Sequence, residues 1–499
     1  MLLNIFLIIH FMLLILISLR VLARHDLTSP ARLAWIVILF ILPYLGVVVY
    51  WMFGEVHLEG NFKRERKQII NKLAAHSPDV LGHETALLEN IKPEYQAAFA
   101  YAANATGYHT TVGNRAELMA DAAETRKRMI ADFDAATDHI HVLYYIWLID
   151  GMGLDTAQAL MRAARRGVTC RAMVDGLGSR KMVSSKIWQE MKEAGVQVSV
   201  ALPITPILKV LMFSRIDLRN HRKITVIDGK ISYNGSRNCA DPEFRVKPKF
   251  APWVDIMLRV EGPVVAQNQM LFASDWLTEN PHTPLDSFPY FINPQPEQQK
   301  SSQAEADETL PITPPPKGFA AQVFSDGPTQ RRGTTPQFLG TLIGQAKRTL
   351  IISTPYFVPD YSLVSILCAT AYRGVQVTMI FPKNNDSIVV AATSHSYYWQ
   401  LLEAGVSIYE YKPGLLHAKT LTVDGEISLI GSTNLDLRSF DLNYENNIVF
   451  SDKTLTADIV ERQYQYIADS EEVTREQVEN WPLSYKIWNN IIATMGPIL

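Results

Sequence analysis

HRKITVIDGKISYNGSRN occupies residues 221–238, and HAKTLTVDGEISLIGSTN occupies residues 417–434. Histidine, lysine, aspartate, Gly-Ser and asparagine stand at offsets 0, 2, 7, 14, 15 and 17 in both stretches. His221 and Lys223 are two residues apart, as are His417 and Lys419, so on a strand each pair shares one face. Asp228-Gly229 and Asp424-Gly425 are hairpin turn signals. The returning strand ends in Gly-Ser-x-Asn, which brings Asn238 or Asn434 back beside the H-x-K strand. Each copy offers an imidazole, an ammonium and an amide in one patch.

That set suits a phosphodiester. Imidazole can act as nucleophile or proton donor near neutrality. Lysine and the asparagine amide can hold non-bridging oxygens as charge grows on them. One histidine cannot attack phosphorus from one side and protonate the leaving oxygen on the other. Two can, if the halves pack with their motifs facing. Asp228 and Asp424 complete the catalytic signature, and their place at the turn predicts that they fix the loop.

The flanking sequence repeats as well. HIHVLYYIWLI, ending at Ile149, reads as a buried strand. DTAQALMRAARRG reads as a helix ending at Gly167, and VTCRAMVDG as the next strand. RTLIISTPYFV, YSLVSILCATAYRG and VQVTMIFPK follow the same order in the second half. The expected fold is α/β, a duplicated domain with two mixed sheets flanked by helices. The expected divisions are an anchor at 1–60, a helical connector at 61–112, a first half at 113–292, a Pro-rich linker at 293–318 and a second half at 319–499. The offset between matching phrases drops from 210 at Glu193/Glu403 to 196 at the histidines, so the first half holds 14 extra residues. They fall within 203–218, where Leu208, Leu211 and Phe213 alternate with Lys209 and Arg215. Such a stretch can lie among lipid headgroups or pack as an ordinary helix or loop.

Met1–Leu19 and Leu33–Phe53 carry no Asp, Glu, Lys or Arg. Each is close to the length that spans a bilayer core as helix, which predicts a two-helix transmembrane hairpin. A cleaved signal followed by a single span is the alternative. Arg20, Arg24 and Arg32 lie between the two stretches, and Lys63, Arg64, Arg66, Lys67 and Lys72 lie after them. In a two-span hairpin these groups compete, and the larger one favours a cytoplasmic catalytic part. Near the C-terminus, Trp488, Ile491, Ile492 and Met495 fall on one helical face, which suits either an interface or a core. The formal net charge of −3 argues against a nucleic-acid partner. The three cysteines, Cys170, Cys239 and Cys368, form neither a disulfide framework nor a metal pair.

The doubled H-x-K-x4-D-x6-G-S-x-N pattern resembles the HKD signature of the phospholipase D superfamily. YYIW, TPYFVP, NLDLRSFDLNYE and the uncharged N-terminal stretches are similar to the bacterial cardiolipin synthases of that superfamily. The resemblance implies two halves meeting at a pseudo-twofold interface with one active site. It implies His221 and His417 as nucleophile and general acid. Lys223, Lys419, Asn238 and Asn434 would hold phosphate, supported by Ser236 and Ser432. A carboxylate after each motif would orient a histidine, Asp255 after the first and Glu445 after the second. The implied substrate is phosphatidylglycerol and the product cardiolipin, made at a lipid bilayer of the bacterial inner membrane without cofactor or metal. Hydrolysis by water and an inactive scaffold are the rival readings.

Overall fold

The computed structural model describes residues 2–25, 27–54, 60–204, 217–288 and 318–494. The Pro-rich linker lies almost wholly outside them, as does most of the inserted stretch at 203–218.

The first-half strands are β1 (Thr111–Leu118), β2 (His139–Tyr144), β3 (Thr169–Asp175), β4 (Gln197–Ala201), β5 (Arg219–Asn220), β6 (Lys223–Ile227), β7 (Ile231–Gly235), β8 (Trp253–Val254) and β9 (Met257–Glu261). The second-half strands are β10 (Phe319–Asp326), β11 (Thr349–Ser353), β12 (Phe357–Val358), β13 (Gln376–Pro382), β14 (Ser407–Tyr411), β15 (Leu415–Leu416), β16 (Thr420–Val423), β17 (Ile427–Gly431), β18 (Leu435–Asp436), β19 (Asn443–Ser451) and β20 (Ser470–Val473). The first half orders its strands β1-β9-β7-β6-β2-β3-β4, and the second orders its own β10-β19-β17-β16-β11-β13-β14-β20. Apart from the added edge strand β20, the two orders are the same. They meet where β1 pairs antiparallel with β10, Thr111 opposite Ala321. The two expected sheets are therefore hydrogen-bonded into one 16-stranded sheet.

Local sequence explains the repeat. β2 is buried at every position, as befits a strand covered on both faces. It pairs in parallel with β3 across the helix Gly151–Arg165, whose N-cap is Asp150. Both D-G turns have positive φ at each central residue, +50° and +62° at Asp228 and Gly229, +55° and +69° at Asp424 and Gly425. That geometry matches the twist of the flanking antiparallel strands. The glycine of each Gly-Ser answers to packing instead: a Cβ on Gly235 would strike the Ile256 carbonyl, and one on Gly431 the Asn446 carbonyl.

Three apolar clusters hold the body together. One belongs to the first half and is built on Ile140, Val142, Trp147 and Leu160. Another belongs to the second half and recruits Tyr95, Phe99 and Ala102 from the connector. The third is shared, with Leu143, Ile224 and Val226 packing in one cluster with Ile351, Leu416 and Ile448. The helix Val264–Glu279 is buried along nearly its whole length in that shared core.

Both ends of the chain depart from expectation. Leu2–Leu22 is one helix, but the second uncharged stretch is broken into Ser29–Ile41, Pro43–Val49 and a π turn at Tyr50–Gly54. Leu42 leaves the helix with φ −128° and ψ 68° because the residue before a proline is pushed out of the α region. Among the described residues no helix is long and apolar enough to cross a membrane. At the other end, Leu483–Thr494 is helical and packs on Ile388–Glu403. Its buried residues are Asn489 and Ile492, while Trp488 and Ile491 of the expected face are exposed. Met495 lies outside the described residues.

Candidate active site

The site is built by two short strands that cross between the halves. β5, immediately before His221, pairs in parallel with the start of β19, so Asn220 stands opposite Tyr444. β15, immediately before His417, pairs in parallel with β8, so Leu416 stands opposite Val254. The next residue in each register is a histidine facing a carboxylate. His221 Nδ1 lies 3.0 Å from both Glu445 oxygens. His417 Nδ1 lies 2.6 Å from Asp255 Oδ1. The carboxylate that follows each motif thus serves the histidine of the other half.

The motif serines brace these carboxylates. Ser236 Oγ donates to Asp255 Oδ1 at 2.6 Å. Ser432 Oγ donates to Glu445, and Asn443 Nδ2 reaches the same carboxylate at 3.3 Å. Both lysines fold back on their own strand: Lys223 Nζ donates to the His221 carbonyl at 2.6 Å and Lys419 Nζ to the His417 carbonyl at 2.7 Å. His221, His417, Asn238 and Asn434 line one cleft of about 620 Å³.

Asp228 and Asp424 are not brought to that cleft. The Asp228 carboxylate accepts backbone N–H bonds from Thr137, Asp138 and His139. Asp424 accepts them from Lys347, Arg348 and Thr349, plus the Tyr95 hydroxyl at 2.9 Å. Each pins the start of the strand next to its hairpin, so the aspartate acts on the scaffold. That is the loop-fixing place expected of both residues from their position at the turn.

Burial sets the electrostatics. Desolvation pushes both imidazoles down to about 4, against the pull of the neighbouring carboxylates. It pushes Lys223 down to about 8 and Lys419 to about 7. Asp255 and Glu445 stay below the usual carboxylate range: burial alone would raise them, but the histidines, the lysines and the serine hydroxyls outweigh it. An ionised carboxylate only accepts, so each Nδ1 carries the proton and each Nε2 keeps its lone pair. A phosphodiester entering the cleft brings a negative charge that favours protonated imidazole and charged lysine. The arrangement can therefore present one nucleophilic nitrogen and one acid to the same phosphorus.

Sequence reasoning missed several neighbours. Tyr145 meets His221 edge-on at 4.9 Å, and Trp253 lies 4.6 Å from His417 and stacks on Phe244. Asn446 clamps Lys223 by its backbone, accepting from the N–H at 2.9 Å and donating to the carbonyl at 3.3 Å. Arg222, the middle residue of H-x-K, bonds buried Asp275. The quoted YYIW phrase contains Tyr145, Trp253 stands two residues before Asp255, and Asn446 directly follows Glu445. Among the described residues no cluster of His, Cys, Asp or Glu is placed to hold a metal ion.

The family model described as cardiolipin synthase, PLD-like domain, matches residues 129–276 and 339–467. The chain belongs to the cardiolipin synthase family of phospholipase D-like proteins. A second family model, the phospholipase D-nuclease N-terminal region, matches residues 2–55. Family members similar to the chain over nearly its full length include cardiolipin synthase A of Yersinia pseudotuberculosis serotype O:1b (strain IP 31758). It is 34% identical over 485 residues, 97% of this chain and 96% of the relative. Cardiolipin synthase A of Serratia proteamaculans (strain 568) is 34% identical over 484 residues, with the same shares covered. The crystal structure of phosphatidylserine synthase from Haemophilus influenzae Rd KW20 shares the fold, with a TM-score of 0.55 at 16% identity over 77% of this chain and 95% of that one.

Proposed function

We propose that the protein is a cardiolipin synthase, a phosphatidyltransferase that joins two phosphatidylglycerol molecules into cardiolipin and releases glycerol. The observation that carries this reading is the pair of crossed histidine–carboxylate contacts on one cleft. Nε2 of one histidine attacks the phosphorus of the first phosphatidylglycerol. The bond to the glycerol headgroup breaks, and the other imidazolium gives that oxygen its proton. The phosphatidyl group is then held on the first histidine. The second histidine, now neutral, takes the proton from a headgroup hydroxyl of another phosphatidylglycerol. That oxygen attacks phosphorus, the P–N bond breaks, and cardiolipin leaves. One phosphodiester replaces another, so the step needs no energy-rich nucleotide.

In this reading Lys223, Lys419, Asn238 and Asn434 hold the non-bridging oxygens. Asp255, Glu445, Ser236 and Ser432 orient the histidines, and Asp228 and Asp424 hold the scaffold. The working halves are 113–292 and 319–499, after a connector at 61–112. The uncharged N-terminal region keeps the enzyme at the bacterial cytoplasmic membrane, with the catalytic part on the cytoplasmic side.

The test is incubation of the purified full-length protein with phosphatidylglycerol in mixed micelles, followed by lipid mass spectrometry. Cardiolipin with equimolar glycerol is the expected outcome. Phosphatidic acid without cardiolipin would make water the acceptor and overturn the synthase reading.

A further inference from the structure

The N-terminal region poses a geometric question that its hydropathy does not answer: where does the second uncharged stretch go? Ser29–Ile41 has 13 residues. At 1.5 Å per residue it reaches about 20 Å, short of a hydrocarbon core of about 30 Å. It stops at Leu42, and Pro43–Val49 turns back along it. Gly46 permits the close return, because a Cβ there would lie 2.9 Å from the Ile38 carbonyl oxygen and 3.2 Å from Leu39 Cα. Seven residues on either side of the turn, Trp35 and Tyr50 meet ring to edge at 5.1 Å. Leu14 and Val21 of the first helix pack in the same cluster with Trp35, Leu39 and Tyr50.

The two ends of the stretch then sit together. The Arg24 guanidinium, just before the stretch, donates to the Gly54 carbonyl just after it. Arg32 ties back to the Arg24 carbonyl at 2.6 Å. His25 before the stretch and Lys63 after it wall one cavity of about 480 Å³, completed by Gly327, Arg331 and Phe440 of the second half. Three residues on, Arg66 is 4% exposed and paired with Asp275 inside the catalytic body. Entry, exit and catalytic body share one level.

The surface of this unit says what covers it. Leu33, Val37, Phe40, Ile41, Leu45 and Val48 are each at least 45% exposed, up to 70% at Ile41. No cation lies among them. The cations flank the stretch in the chain, with Arg20, Arg24 and Arg32 before or at its start and Lys63, Arg64, Lys67 and Lys72 after it, and Arg24, Arg32 and Lys63 stand at the open end. An apolar tip rimmed by cations fits a leaflet with anionic headgroups.

We infer that residues 29–54 form a re-entrant helical hairpin, which enters a bilayer from the side of the catalytic body and leaves on that same side. The inference rests on the membrane attachment proposed above and takes the place of the two-span path expected from the sequence. It also removes a conflict. In a two-span hairpin the two groups of cations face opposite sides and compete. In a re-entrant one they add, and all favour the cytoplasmic face by the positive-inside rule.

The experiment uses single cysteines introduced into the full-length protein by His25→Cys, Lys63→Cys and Ile41→Cys. The native Cys170, Cys239 and Cys368 are buried and give little background. Each variant is first checked for cardiolipin formation in cells, so that only folded protein is compared. A membrane-impermeant maleimide is then applied to spheroplasts and to inside-out vesicles. Residues 25 and 63 should both label in the inside-out vesicles and lose labelling when the reagent is confined to the outside. Residue 41 should label from neither side. Labelling of 25 and 63 from opposite sides would overturn the hairpin in favour of two spans, as would labelling of 41 from the outside alone. Release of the protein by alkaline carbonate would instead overturn the membrane attachment itself.

Discussion

His221 and Glu445 are 224 residues apart in the chain and in contact at 3.0 Å. The contact crosses from one half to the other, and His417–Asp255 crosses back. Glu445→Gln keeps the shape but offers an amide N–H to Nδ1. That favours the tautomer with the proton on Nε2, which can no longer attack. We expect transfer to fall by roughly 10²–10⁴-fold, between the effect of a lost orienting partner and that of a wrong tautomer. Single-turnover transfer with an unchanged melting temperature is the check. Near-normal turnover would deny the orienting role.

In the proposed reaction the two histidines act on one phosphorus. His221→Ala and His417→Ala should each abolish detectable cardiolipin formation. The double variant should be no worse than either, because members of one catalytic unit are grossly non-additive. Substantial transfer by either single variant would rule out the two-histidine scheme.

Asp424 lies outside the cleft and accepts three backbone N–H groups and Tyr95. Asp424→Ala should cost about 2–4 kcal/mol of stability, the scale of several lost bonds to a charged group. The activity of the fraction that remains folded should stay within a few-fold of the parent. Denaturant unfolding and activity normalised to folded protein separate the two effects. Asp424→Asn tolerates the positive φ and isolates the hydrogen-bonding share.

Lys419 titrates at about 7 in the folded protein because burial penalises its charge. An unfolded lysine titrates near 10.4, so between about pH 7 and 10.4 the unfolded chain binds more protons than the folded one. The contribution of Lys419 to stability therefore rises with pH through that window. Lys419→Met should abolish transfer yet be no less stable at pH 7, and its melting temperature should rise less between pH 7 and 9 than the parent's. A parallel rise in both proteins would show that the lysine is not held at a cost.

The repeated motif made the duplication, the D-G hairpins and the histidines readable, because all of these are local patterns. NYE even exposed Glu445. The partnership between Glu445 and His221 was not readable. It is fixed by the pairing of β5 with β19, and contacts between segments this far apart leave no period in the chain. The same holds for the β1–β10 junction that fuses the sheets. Asp228 and Asp424 recur with the histidines because the turn that needs them recurs, which is why their loop-fixing place was readable. Hydropathy marks the second uncharged stretch as long enough to span, but it is blind to the break at Leu42–Pro43 and to the close approach at Gly46.

The exchange of carboxylates also bears on inheritance. In the proposed mechanism neither half owns a complete catalytic histidine, so a lesion at Asp255 would disable the half it does not belong to. Under that mechanism neither copy could drift toward a second activity while its sibling preserved the first. The two halves descend as a single heritable unit, and compensating substitutions should be sought across them, such as Glu445 with the surroundings of His221, more than within either one.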